Sequence, residues 1–526
     1  MSDMADPPSA LANPGYRNLW AASIVANFGT FMLMVGAAWA MVGLGEGPTL
    51  VALVQSAIVA PIFLFGIAAG TFADLYDRRR VAIVALALGL LASLVLVALT
   101  VGSGLSAWPL LFCCFLVGTG NAIFSPAWQT AVAEQVTPAQ LPQAIMLNSV
   151  SYNLARSAGP GAGGLLVSVA GPLGGFLFNT VSFIPILLAF LLWRPKLHRA
   201  TLPRERLGQA LTAGLRYISH SAPLRAATLR ALLAGLIGCA LTALAPLIAR
   251  DVVGGGSETF GLLLASLGAG SVVGALGQGR LRNRFGTEGG ARILSLAGAA
   301  GSALVAFSTS LAPSCAGFLL AGVGIAGQGA LLNVFFQTNS PRWVSARTLS
   351  AFQSVFAGGM AIGSLMWGEI TTRTGLVGAL ELVALAFAAT ILVGLVYPIR
   401  TPEATPRGEP EPLPGALMEV DRLPLDVGPI VIELHYGIDP VADEAFLALM
   451  KEVRATRLRN GAREWTLRRD LEDDTHWVQR FICRDWRDYL HLRQRSSAAE
   501  RRLHEEVAAL QATAAPPDIR IFLQVD

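Results

Sequence analysis

The chain has 526 residues, 53% hydrophobic and only 14% charged, with a formal net charge of +4 and a mean hydropathy of +0.55. A soluble globular chain carries about 25% charged residues, so this composition excludes a wholly soluble protein, and the small positive balance reads as loop bias with no nucleic-acid partner. Charges are sparse to about residue 398 and dense beyond it, which divides the chain into a membrane domain and a soluble tail.

Residues 1–17 are polar and contain proline, with no basic start and short apolar core, so they are expected to be a retained cytoplasmic N-terminus and not a cleaved signal. The first apolar stretch, from about Leu19 to Val42, can span a bilayer core of about 30 Å. Further apolar segments centre near residues 60, 90, 119, 157 and 183, then near 236, 268, 300, 325, 359 and 387. Cations cluster at Arg17, Arg78 to Arg80, the 194–230 stretch, Arg280 to Arg292, and Arg342 with Arg347, while the alternate loops hold little besides Arg250 and Arg373. The positive-inside rule then puts both termini and the central connector in the cytoplasm. The division expected is six helices over 18–193, a connector over 194–222, and six helices over 223–398.

The two halves repeat. Val117-Gly118-Thr119-Gly120-Asn121-Ala122 returns as Ala321-Gly322-Val323-Gly324-Ile325-Ala326, Thr137-Pro138 is echoed by Ser340-Pro341, and the glycines of Ser157–Gly164 have a weaker echo in Gly358–Gly363. Parallel halves of this kind place a substrate site near mid-membrane between them. Gly118, Gly120, Gly159, Gly161, Gly163 and Gly164 let backbones approach closely, and ordinary helix packing, with Pro160 among it, accounts for most of them.

No Asp or Glu falls near the middle of a span. Glu258, Glu369 and Glu381 lie toward outer ends and Glu134 toward an inner end, so no buried carboxylate marks a coupling-ion site. Arg156 is the deep charge, midway along the fifth span, where a cation costs about 2.5–3.5 kcal/mol and needs a partner or an aqueous cavity. Two readings are open: an anion-binding or gating residue, or a clamp between helices. Asn27, Asn121, Gln129, Asn148, Asn153, Gln328 and Asn333 are the accompanying candidates for a polar cavity, and the same residue types also glue helices together.

The run from Gly70 to Arg80, with Asp74, Asp77, Arg78 and Arg79, resembles the signature loop between helices 2 and 3 of the major facilitator superfamily. Asn13–Trp20, Phe124–Gln129, Leu147–Ser149 and Asn153–Gly164 resemble its transmembrane secretion effector branch, which includes the enterobactin exporters. The resemblance implies an all-α fold of twelve membrane helices in two six-helix halves, in a bacterial inner membrane. It implies alternating-access export of a small molecule (siderophore, drug or secondary metabolite), driven by an ion gradient and needing no cofactor beyond substrate, coupling ion and lipid. It also implies a gating loop of Gly70, Asp74, Asp77, Arg78 and Arg79, with Asp74 against a helix N-terminus of the other half. The second-half counterpart, Gly277–Arg284, keeps the cations but has no aspartate in the place of Asp74.

Residues 399–428 form a proline-rich linker. Beyond it the period changes: strands over Ile430–Tyr436, Trp465–Asp470, His476–Cys483 and Ile519–Val525, with helices over 440–459 and 485–512, give a βαββαβ order, the ferredoxin-like pattern, for 429–526. Trp465 and Asp485-Trp486 resemble the antibiotic-biosynthesis monooxygenase-like domains. Those commonly dimerise through their sheets, which implies a homodimer, and some oxidise aromatic compounds or degrade haem. His435, His476 and His491 form no catalytic spacing, so a sensor or dimerisation module outweighs an oxygenase, and a transporter outweighs an enzyme tethered by its membrane half. Cys113, Cys114, Cys239, Cys315 and Cys483 show no metal or disulfide spacing and read as packing residues.

Overall fold

Hydrocarbon offers no water to backbone amides, so apolar segments that cross it must close their own hydrogen bonds as helices. The computed structural model describes residues 9–75, 77–137, 139–193, 214–399, 423–424, 426–494, 498–511 and 517–525, the side chains of 67–75, 342, 343, 346, 494, 498 and 499 excepted. Most of the expected linker and most of the expected connector therefore lie outside the described residues. The chain forms two units, residues 1–204, 229–332 and 352–399 in one, and 205–228, 333–351 and 400–526 in the other.

The helices in order are α1 (Pro14–Gly43), α2 (Pro48–Leu75), α3 (Arg78–Val101), α4 (Ala107–Gln135), α5 (Leu141–Leu192), α6 (Ala222–Gly238), α7 (Ala240–Leu247), α8 (Ser257–Ala306), α9 (Leu311–Thr338) and α10 (Arg342–Val396). A π-turn, Ile248–Val252, follows α7. Nine stretches of the described residues are long and apolar enough to cross a membrane, α6, α7 and the π-turn counting as one.

Three of the nine are too long for one crossing. At 52 residues, α5 would measure about 78 Å if straight, against a core of about 30 Å. It breaks at Gly171 (φ 65°), as α8 breaks at Gly286 (φ 71°) and α10 at Gly375 (φ 77°). Each is a left-handed position with extended ψ, which glycine adopts without the Cβ penalty. Counting each broken helix as two gives the twelve spans expected, numbered 1 to 12 below.

The echo between halves is an echo of contacts. Gly118 of span 4 lies against the Ile58 carbonyl of span 2, and Gly322 of span 10 against the Leu267 carbonyl of span 8. Gly120 faces the Ala85 carbonyl of span 3 as Gly324 faces the Leu294 carbonyl of span 9. The Phe183 ring covers Gly89, and the Phe387 ring covers Gly298. Gly159 and Gly163 seat Phe31 and Met32 of span 1. Buried polar clasps add to this: Ser93 meets Thr180 at 2.8 Å and Asn179 at 2.9 Å, and Ser295 meets Thr390 at 2.8 Å and Gln328 at 2.7 Å.

In the second unit, β1 (Ile430–Gly437), α11 (Asp443–Asn460), β2 (Glu464–Arg469), β3 (His476–Cys483), α12 (Trp486–Gln494), α13 (Ala498–Ala509) and β4 (Asp518–Leu523) follow in order. The sheet order is β2-β3-β1-β4, and every pair is antiparallel, so the ferredoxin-like expectation holds. Where one charged helix is expected over 485–512, two occur, and Ser496-Ser497, residues that favour helix caps, lie between them in sequence. Ile430, Ile432, Leu434 and Tyr436 of β1 turn to the helices with Trp477 and Phe481 of β3, and Phe446, Met450 and Val453 of α11 pack on them. A connector helix over 214–219 belongs to this unit. Its Tyr217 is 2% exposed, with the Arg459 guanidinium 5.3 Å above its ring.

Candidate functional site

The loop between spans 2 and 3 is held by charge. The side chains of Gly70 and Asp74 lie outside the described residues. Asp77 caps α3, its Oδ1 accepting from the Arg79 and Arg80 amides at 2.9 and 3.2 Å, where an anion also meets the positive helix end. Arg78 Nη1 donates to Glu134 Oε1 at 2.6 Å, tying span 3 to the C-terminal end of span 4. Arg79 donates to the Phe190 carbonyl at 3.0 Å and to that of Leu191, so it sits on the negative end of span 6.

The second half does the same work with residues that sequence reasoning missed. Arg230, grouped there with the loop cations, is 4% exposed inside span 7. It donates to the Thr390 carbonyl of span 12 at 2.8 Å and lies 3.8 Å from Glu288 of span 9. Arg292 pairs with Glu288 at 3.1 Å and donates to the Gly394 carbonyl at 3.2 Å. Glu288 also accepts the Ile399 amide at 2.9 Å, so one carboxylate gathers spans 7, 9 and 12. The available signal was an arginine placed two turns inside an apolar helix.

Between the halves, span 5 meets span 8 and span 2 meets span 11. Gly164 and Gly261 occupy each other's Cβ space, and Gly268 lies on Arg156 and Ser157. Trp39 stacks on Phe260 with centroids 6.2 Å apart. Thr49 reaches Glu369 at 3.3 Å and Ser56 reaches the Ala361 carbonyl at 2.6 Å. This seam is thus closed by small residues and hydrogen bonds.

The candidate polar residues fall into two groups. Asn27 donates to Ser151 at 3.2 Å, Asn148 accepts from Tyr16 at 3.4 Å, and Asn153 bonds its own helix at the Ser149 carbonyl. Gln328 belongs to the Ser295 clasp, and Asn333 accepts from Gln337 at 2.6 Å. Arg156, Asn121 and Gln129 have no hydrogen bond or ion pair to a described residue. Arg156 and Asn121 are half-buried and Gln129 is exposed. Arg156 stands at the span 5–span 8 seam, midway along its span. These three are the candidates whose side chains have no described partner.

In the C-terminal domain, register assembles a pair that spacing did not show. With Gly437 opposite His476, His435 Nδ1 comes 3.0 Å from His476 Nε2, and His476 Nδ1 lies 3.2 Å from Asp470. Among the described residues no group of three or more potential ligands could hold a metal, and the trio forms a chain of contacts along which a proton can pass. On the helix side, burial and then the Arg457 charge push the His504 imidazole down to about 4.

Two outcomes follow from this geometry. In a double-mutant cycle on the apparent Tm of the purified protein, Arg78→Ala and Glu134→Gln each destabilise by about 1 kcal/mol, and the double variant loses no more than the worse single one; additive losses would show that the pair does not interact. For His504 the unfolded state takes up a proton near pH 6.5 and the folded state only near 4. The C-terminal domain therefore loses stability as pH falls through that window, by on the order of 2–3 kcal/mol. Hydrogen exchange of β1 against pH measures it, and His504→Gln flattens the slope; an unchanged slope would refute the assignment.

Comparison with known proteins agrees with this architecture. The chain is 25% identical to the uncharacterized MFS-type transporter YfiS of Bacillus subtilis, over 73% of this chain and 92% of that one. It is 22% identical to the staphyloferrin A transporter of Staphylococcus aureus, over 49% and 66%, and 25% identical to the multidrug efflux pump Tap of Mycobacterium tuberculosis, over 72% and 92%. A solved bacterial homolog of the human lysosomal transporter Spinster, inward-facing and unoccupied, superposes with a TM-score of 0.60 at 14% identity, covering 74% of this chain and 96% of that one. The model of the transmembrane secretion effector family matches residues 5–526, and the chain, a multi-pass membrane transporter, belongs to that family.

Proposed function

We propose that the protein exports a small organic anion across a bacterial inner membrane by alternating access, with Arg156 receiving the anionic group. The observation that carries this reading is an unpaired guanidinium midway through span 5 at the seam between the halves. A cation there is costly without a partner, and among the described residues none is supplied, so a solute anion in an aqueous cavity is the fitting counter-charge. Asn121 and Gln129 add neutral hydrogen-bonding capacity. The names of the relatives, a siderophore transporter and a multidrug pump, support small-molecule cargo. Closure of the outer seam supports a state whose cavity opens inward. The distribution of arginines supports cytoplasmic termini and a cytoplasmic C-terminal domain, and membership of the family supports a coupling-ion gradient as the source of drive.

Efflux of an acidic and of a neutral fluorescent probe from the same energised vesicles tests this. Arg156→Ala lowers export of the acidic probe by about tenfold, a loss of about 1.4 kcal/mol, and leaves the neutral probe within twofold. Arg156→Lys falls between, because lysine keeps the charge and loses the planar fork. Equal losses for both probes would make Arg156 a clamp between helices. Transport of neither probe by the wild-type protein would favour the alternative, a membrane-tethered enzyme or sensor whose activity lies in the C-terminal domain.

The helix-free face of the sheet supports a homodimer. Ile482, Val431 and Phe522 lie in one row across β3, β1 and β4, and Phe522 is 46% exposed. Val431 at its centre is already buried, and a second copy of the face would cover the exposed end of the row at Phe522. The molar mass of the purified full-length protein is expected to be that of two chains, and a single-chain mass would remove the dimer.

A further inference from the structure

The layer between the sheet and the helices of the C-terminal domain holds more hydrogen-bond donors than acceptors. Arg457 of α11 is 7% exposed and Gln479 of β3 fully buried. Arg457 Nη2 lies 2.9 Å from His504 Nε2, while His504 Nδ1 faces the Glu500 carbonyl. A carbonyl only accepts, so Nδ1 carries the proton, Nε2 accepts from Arg457, and His504 is neutral. Burial drives the Arg457 guanidinium's affinity for its proton down, and Glu500 is the one carboxylate acting on it. Both Glu500 oxygens are already taken, by Arg459 at 2.6 Å and by Asn460 at 3.0 Å. Among the described residues no carboxylate forms an ion pair with Arg457.

Other donors stand beside it. The Tyr436 hydroxyl donates to Gln479 Oε1 at 2.8 Å, which uses the amide oxygen and leaves its NH2 group. Arg457 Nε, Gln479 Nε2 and the Trp477 indole nitrogen are all buried without a partner. The Phe481 ring lies 5.0 Å beneath the guanidinium carbon, and Gln479 is the next residue of β3 on the same buried face as Phe481. Buried donors left unmade are costly, a charged one most of all. Water could receive the neutral donors but would leave the charge uncompensated. An anion with two acceptor oxygens answers both needs, and guanidinium is shaped for a carboxylate.

We propose that the C-terminal domain binds a small organic carboxylate between its sheet and its helices, the carboxylate oxygens being received by Arg457 and Gln479. The site is separate from the membrane cavity and does not depend on what is transported.

The test uses full-length protein in nanodiscs, with acetate, benzoate and salicylate as probes and benzamide as the neutral isostere of benzoate. Hydrogen exchange read separately over 450–460 and 476–483 localises the response away from Arg156. At least one carboxylate slows exchange several-fold in both segments, benzamide does not, and Arg457→Gln abolishes the effect. The proposal fails if none of the three carboxylates slows exchange, if benzamide acts as well as benzoate, or if the effect survives Arg457→Gln. Should Arg457→Gln unfold the domain, Gln479→Glu decides. It supplies an internal carboxylate beside Arg457, so it slows exchange unaided and removes the response to added carboxylate. A full response in Gln479→Glu would overturn the site.

Discussion

The membrane unit depends on backbone meeting backbone at glycine. Lipid chains are as apolar as leucine and give little drive for one helix to seek another, so packing has to come from close approach. The carbonyls of Ile58, Ala85, Leu267 and Leu294 each enter the space a Cβ would fill, at Gly118, Gly120, Gly322 and Gly324. Within each half these contacts set spans 2, 3 and 4, or 8, 9 and 10, as one block. Between the halves the same device recurs at Gly164 and Gly261, where neither residue could carry a side chain. A surface without side chains is also one across which two blocks can pivot without unlocking rotamers. The contact that holds the seam closed is therefore compatible with its opening.

Charge does at the helix ends what glycine does along the spans. In the first half Arg79, at the start of span 3, donates to the last carbonyls of span 6, and in the second half Arg292, near the start of span 9, donates to those of span 12. A helix C-terminus carries about half a negative charge, so an arginine there needs no acid to be useful. The halves then differ in where their acids sit. Glu134 takes Arg78 at the foot of span 4, whereas Glu288 stands between Arg230 and Arg292. The missing aspartate in Gly277–Arg284 is thus one difference among several, and the clamp of the second half is built one layer deeper, around a buried arginine.

The repeat was legible because glycine and proline carry backbone meaning wherever they fall, and three echoes in one order survive extensive change elsewhere. The bends at Gly171, Gly286 and Gly375 were not legible as bends, since nothing in 55 glycines marks the three that break a helix at positive φ. Amides gave the same difficulty. Asn27 and Asn121 look alike in sequence, yet one is spent on Ser151 and the other has no described partner. In the C-terminal domain the change of hydrophobic period announced the strands and their order. The His435–His476 pair did not show, because it depends on which residue of β1 faces which residue of β3, and a slip of one position would put the rings on opposite faces.

Helix α11 joins two environments that the sequence keeps apart. Arg457 and Arg459 are two residues from one another, so they point to nearly opposite sides of the helix. The first enters the core against Phe481 and His504, and the second lies on Tyr217 of the connector helix. Glu500 completes the link from α13: its carboxylate holds Arg459 and Asn460, and its carbonyl fixes the tautomer of His504, which in turn accepts from Arg457. A shift of α11 or α13 that changes one arginine's surroundings must change the other's. The segment that Tyr217 anchors is part of the stretch of chain connecting the two six-helix halves. The core beside Arg457 and the segment carrying Tyr217 are therefore joined through the single helix α11.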